Sequence, residues 1–166
     1  MSDDSSRDRR AAEWYRGLPS RGLPDALGME VIELTGRRVV ATMPVDQRTR
    51  QPFGILHGGA SVALAETVAS LGASASLDAD RQVAVGMEVN ANHLRPKADG
   101  VVRATATPVH IGAKTQIWAI AIVDEQERLV CVSRCTLAIV DRGERTDPAA
   151  TGDRGSGGDG TLPRDA

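Results

Sequence analysis

The chain has 166 residues, 41% of them hydrophobic, and 20 basic against 22 acidic side chains give a formal net charge of -2. One domain with a real core is the default at this length. The lack of a basic surplus, with a pI near 5.9, argues against nucleic acid as a partner, and no run of 18 apolar residues is present to cross a membrane.

The N-terminus is charged with no apolar run behind it, so a cytoplasmic protein without a leader is expected. Residues 1–10 read as a disordered tail, and 11–17 as a short helix ended by Gly17 and Pro19 and anchored by Trp14 and Tyr15. A connector at 23–28 leads to two strands, 29–34 and 38–45, joined through Thr35-Gly36, with Val39, Ala41, Met43 and Val45 on one face. A glycine-punctuated loop from about residue 50 then feeds the longest stretch of helix formers, 59–77, and a turn at 78–80 closes it. From there the period switches to two. Val83, Val85, Met87 and Val89 alternate in a strand over 83–93, a loop follows at 96–100, and strands over 101–110, 115–124 and 129–140 are joined by connections short enough for hairpins. The last four strands read as an antiparallel meander. Residues 141–166, rich in glycine and charge, read as a disordered tail, which leaves 11–140 as the folded domain. Two strands, a long helix and four strands make an α+β pattern in which one antiparallel sheet of five to six strands wraps a central helix.

Cys131 and Cys135, four apart on one strand, would have Cα atoms about 13 Å apart, too far for a disulfide. They read as reduced core residues, and no Cys/His spacing resembles a metal site.

The central helix carries the information. Ala60, Leu64, Thr67, Val68, Leu71 and Ala75 form one stripe at helical spacing that should pack on the sheet. The opposite side, where a surface helix would be charged, carries Gly59, Val62, Ala69, Ser70 and Ala73 with a single acid, Glu66. Glu66 and Ser70, one turn apart, look away from the sheet. A carboxylate among small apolar residues is costly unless protonated or hydrogen-bonded, which marks Glu66 for a task. A small, apolar outward side is also an invitation to a second copy of the chain, so a homodimer is expected.

Three segments resemble a known family: Gln-Pro-Phe-Gly-Ile-Leu-His-Gly-Gly-Ala-Ser-Val-Ala-Leu-Ala-Glu at 51–66, Asn-Ala-Asn-His-Leu-Arg-Pro at 90–96 and His-Ile-Gly-Ala-Lys-Thr-Gln-Ile-Trp at 110–118. They look like the hotdog-fold acyl-CoA thioesterases, in the branch of the 4-hydroxybenzoyl-CoA, 1,4-dihydroxy-2-naphthoyl-CoA and enterobactin-proofreading thioesterases within the phenylacetate-type superfamily. The resemblance covers about residues 25–140. It implies that Glu66 is the catalytic carboxylate, that the Gly58 N–H polarises the thioester carbonyl, and that Gln51, His57 and Ser70 assist. It also implies no cofactor of the protein's own, coenzyme A entering as part of the substrate, and a homodimer paired into a homotetramer. For coenzyme A phosphates it points to His93, Arg95 and Lys97 in one loop region and Lys114 in the next turn. Ala113 stands where relatives often carry a hydroxyl residue before that base.

The physics of such a site agrees. Thioester hydrolysis builds negative charge on an oxygen, and a backbone N–H at a helix N-terminus is a preorganised donor for it. Glu66 would attack the carbonyl or activate a water, and the residues leave that choice open. Each supporting residue has a plainer reading. Gln51 is also an ordinary loop residue, His57 a satisfier of backbone groups, Ser70 a gap-filler, and each cation a solvated strand end. The expected activity is hydrolysis of acyl-CoA or acyl-carrier-protein thioesters, with a hotdog hydratase or dehydratase and a non-catalytic acyl-CoA-binding protein as alternatives.

Overall fold

The computed structural model of the chain describes residues 2–142. In chain order the elements are α1 (Ser2–Gly17), α2 (Leu23–Ala26), β1 (Glu30–Leu34), β2 (Val39–Pro44), α3 (Gly58–Ser76), β3 (Gln82–His93), β4 (Val101–Ile111), β5 (Thr115–Val123) and β6 (Leu129–Asp141). All six strands join one antiparallel sheet that wraps α3. This is the expected hotdog arrangement. The expected tail at 141–166 lies outside the described residues from 143 on, while Asp141 still belongs to β6.

The core is built as the composition requires. Val39, Ala41, Met43 and Val45 of β2 and its end face α3 with at most 2% exposure, as their alternation implies. Leu64, Ala65 and Val68 of α3 are closed off beneath them. Trp118 of β5 lies against the helix at Gly72, where a side chain would run into the indole ring. The indole Nε1–H donates to Gln116 Oε1 at 3.0 Å, and the Gln116 amide donates to Ser76 Oγ at 2.8 Å. This relay satisfies the indole and the amide in the interior, which would otherwise cost about 1–3 kcal/mol each.

Four sequence expectations need correction. α1 begins at Ser2 rather than Ala11. Its charged first turns are held by tertiary contacts that composition does not reveal: the Gly36 N–H donates to Asp8 Oδ1 at 2.7 Å, and Ala11 and Ala12 pack on the core. The strand order is β1-β2-β4-β5-β6-β3, so only β4, β5 and β6 form a meander. The connection from β3 to β4 is no hairpin. It runs beside the start of α3, where the Leu56 N–H donates to the Lys97 carbonyl at 2.7 Å, and it leaves β3 on the outer edge against β6. The third correction concerns the alternation in β3. A bulge between Gly86 and Glu88 shifts the parity at Met87, so Ala84 before it and Val89 and Ala91 after it lean on the core, while Val85 and Met87 are 48% and 66% exposed. Finally, Ala69 and Ala73 are fully buried, because the sheet curves far enough round α3 to cover more than one stripe.

Candidate active site

The loop before α3 delivers its first turn in a fixed pose. Gln51 and Ile55 close a tight turn, the Gln51 N–H donating to the Ile55 carbonyl at 2.8 Å and the Gly54 N–H to the Gln51 carbonyl at 2.9 Å. Gly54 takes φ 80° there, a conformation glycine adopts without strain. Phe53 at the tip is 87% exposed. The His57 N–H then donates to the Thr49 carbonyl at 2.8 Å, and α3 starts.

A helix leaves its first four N–H groups without intrahelical partners. Here the His57 N–H is held by the Thr49 carbonyl, the Gly59 N–H donates to His57 Nδ1 at 2.8 Å, and that of Ala60 goes to the His57 carbonyl at 3.0 Å. The Gly58 N–H has no partner among the described residues. His57 is therefore the cap of α3, and using Nδ1 as acceptor leaves Nε2 as the donor of the neutral ring. His93, at the end of β3, closes the other side: a Cβ on Gly58 would lie 2.8 Å from His93 Nε2. His93 thus belongs with the helix start.

Glu66 is exposed in the single chain, not buried as its apolar neighbours suggest, because the outward side of α3 is uncovered there. Its carboxylate makes no hydrogen bond or ion pair among the described residues. It rests against the β3 bulge, where a Cβ on Gly86 would come within 2.6 Å of Glu66 Oε1. Behind it, burial pushes the Cys135 thiol up to about 11, with the Glu66 and Glu88 carboxylates adding to the shift. That thiol is protonated at neutral pH and is no nucleophile. Both cysteines are free and buried, as expected.

Glu66, Ser70 and Gly59 line one groove of about 540 Å³. Its far wall is α1, the turn after it and the start of α2, through Trp14, Tyr15, Leu18, Arg21, Leu23 and Pro24. Gly58 and Glu66 lie eight residues apart, about 12 Å along the axis.

The cations do not gather. Lys97 is only 11% exposed and its ammonium meets Glu125 at 2.6 Å, an interaction that, with the Val101 N–H, holds the Glu125 carboxyl down at about 2. Arg95 is exposed and donates to the Leu129 carbonyl at 2.9 Å. Lys114 sits at the opposite end of the sheet. His93 pairs with Cys131 and Thr115 with Ala138, and seven strand residues span about 23 Å. Among the described residues no three of His, Cys, Asp and Glu converge as a metal would require. The sequence reading missed Gly86, although a glycine inside a strand signals a close approach, and the place of Tyr15 in the groove wall, which carries no local signal.

Comparison with known proteins agrees with this fold. Residues 53–131 match the model of the Thioesterase superfamily. The chain is 60% identical over 118 residues to ComA2 of Bacillus subtilis, named only as a candidate esterase, covering 71% of this chain and 94% of that one. It is 48% identical over 118 residues to the 1,4-dihydroxy-2-naphthoyl-CoA hydrolase of Listeria monocytogenes, covering 71% and 95%. The crystal structure of thioesterase HI1161 from Haemophilus influenzae superposes with a TM-score of 0.72 at 47% identity, covering 76% of this chain and 88% of that one. With a six-stranded sheet wrapped round one long helix and relatives matched over nearly their whole length, the chain belongs to the hotdog-fold thioesterase superfamily and is a thioester hydrolase.

Proposed function

We propose that the substrate is an acyl-CoA with an aromatic or medium-sized acyl group, and that Glu66 and the Gly58 N–H are the reacting pair. The observation that carries this reading is the Gly58 amide: three of the four leading N–H groups of α3 are spent within the chain, and the fourth is the one that a developing oxyanion would use. Glu66, without a partner and lining the groove, supplies the carboxylate. It either attacks the carbonyl carbon, expelling the coenzyme A thiolate and leaving a mixed anhydride for water to open, or takes a proton from the attacking water. His57 Nε2 and Gln51 stand on the approach to the helix start as further donors, and Ser70 supplies a hydroxyl one turn beyond Glu66.

The groove, at about 540 Å³, falls in the range of small-molecule sites, and the similarity to a 1,4-dihydroxy-2-naphthoyl-CoA hydrolase favours an aromatic acyl group. Of the expected cations Arg95 is left beside the end of β3 for coenzyme A phosphates, since Lys97 is engaged by Glu125 and Lys114 of the same chain lies at the opposite end of the sheet. The 12 Å between the two halves of the pair is more easily closed by two chains than by one, so in this reading the active form is a homodimer, with a homotetramer as its expected higher assembly and the cytoplasm as its place. Glu66→Ala should fold and lose about 10²-fold or more in kcat, read as coenzyme A release from benzoyl-CoA and octanoyl-CoA with a thiol dye. Near wild-type turnover by the folded variant would overturn the assignment. A single turnover in water enriched in the heavy oxygen isotope identifies the anhydride route if the label enters Glu66, which happens only when water opens an anhydride at the Glu66 carbonyl.

A further inference from the structure

Tyr15 is 5% exposed, and its hydroxyl is the one buried side-chain N or O atom without a hydrogen-bond partner among the described residues. A buried polar group left unpaired costs about 1–3 kcal/mol and calls for an explanation. The phenol lines the same groove as Glu66, from the opposite wall. Arg21 does not answer its need. The guanidinium lies over the ring, 5.5 Å from its centroid, without an ordinary hydrogen bond to the hydroxyl, and is held by Asp25 at 2.7 Å. Burial, opposed by the nearby guanidinium, pushes the phenol above its usual range, so it is a neutral donor at physiological pH.

The rest of the groove wall is apolar or small, apart from Glu66, Thr67, Ser70 and the Asp25-paired Arg21. The Thr67 hydroxyl is already spent on the Ala63 carbonyl at 2.7 Å. An acyl group whose carbonyl is held at the helix would extend its far end toward α1, where Tyr15 is the buried donor without a partner, the Trp14 indole beside it being exposed. α1 lies outside residues 53–131 that the family model matches. We propose that Tyr15 is a specificity-determining residue, donating a hydrogen bond to an oxygen or nitrogen near the distal end of an otherwise apolar acyl group. Because Asp25 already neutralises Arg21, the favoured substituent is uncharged, a hydroxyl or carbonyl and not a carboxylate. This rests on the reading of the groove as the acyl site.

The test compares wild type with Tyr15→Phe, which keeps the ring and removes only the hydroxyl, on matched thioesters: benzoyl-CoA against its 2-, 3- and 4-hydroxy derivatives, and octanoyl-CoA against 8-hydroxyoctanoyl-CoA. Loss of one hydrogen bond should lower kcat/KM about 5- to 10-fold for at least one hydroxylated member, chiefly through KM, while its unsubstituted parent stays within a factor of two. A common factor for all members overturns the proposal and leaves the thioesterase reading standing. Failure of wild type to hydrolyse any of them overturns both the aromatic or medium-chain reading and this one. A second measurement needs no variant: on wild type, at least one of 2-, 3- and 4-hydroxybenzoate should inhibit several-fold more tightly than benzoate, and equal inhibition by all four counts against Tyr15.

Discussion

Mixing two dead variants should restore activity. The Gly58 donor and Glu66 are about 12 Å apart along one helix, a Glu side chain reaches about 4–5 Å, and the carbonyl oxygen must sit about 3 Å from the donor. One chain therefore does not easily bring both groups to one thioester, whereas two α3 helices related by a two-fold axis can do so twice. Gly58→Pro removes the N–H at a helix position that proline tolerates. Its Cβ would meet the far end of His93, 2.8 Å away, so Gly58→Ala serves as a control that keeps the N–H and makes the same encounter. Glu66→Ala removes the carboxylate. After subunit exchange at equal amounts, about half the dimers are mixed. Each has one site with both defects and one with neither, so the mixture should recover about a quarter of wild-type specific activity in the thiol-dye assay. Mixed dimers verified by mass that stay as dead as their parents refute the shared site, as does full activity in a species that sediments as a monomer.

Three further outcomes follow from close contacts and one ion pair. Gly86→Ala should fold yet lose about tenfold or more in kcat, because its Cβ pushes Glu66 aside at 2.6 Å and small misplacements of reacting groups are expensive; unchanged kcat would show that the carboxylate works from another position. Gly72→Ala should lower stability by about 1–3 kcal/mol by overpacking against Trp118, despite the better helix propensity of alanine, and thermal melting without a loss would contradict the packing described. The Glu125 carboxyl, held down at about 2 from 4.5, stabilises the fold above about pH 4.5 and loses that contribution as pH falls toward 2. Glu125→Gln should therefore melt below wild type at pH 6 and converge with it toward pH 2, and a constant gap across that range would mean that the Lys97 pair contributes nothing.

What could be read in advance depended on how local the cause was. The β2 face, the extent of α3 and the two hairpins rest on periodicity and turn length, and they stand as expected. The partner of β3 depends on a crossing that no residue in β3 encodes, and its alternation was misleading because the bulge at Met87 adds a residue without breaking the apolar pattern. The helical state of residues 2–10 turns on Asp8 reaching Gly36, a contact between segments far apart in the chain. In the site, Glu66 stood out because a single acid in a run of small residues is a local anomaly. The engagement of Lys97 did not, since its Glu125 partner lies 28 residues away. Tyr15 looks like an ordinary anchor until the opposite wall of the groove is in place.

The two thiols between the sheet and α3 have a practical bearing on the chemistry of the groove. An enzyme that releases a free thiol at every turnover works in contact with a nucleophile able to open disulfides, and is assayed with reagents that seize thiols. Cys131 and Cys135 are both fully buried, and burial raises both above their ordinary range. Attack on a disulfide proceeds through the thiolate and needs access to it, so the folded protein does not consume a disulfide dye that counts the released thiol. Any slow uptake of dye in the absence of substrate would then report the opening of the β5–β6 layer, making the reagent that measures turnover a clock for local unfolding as well.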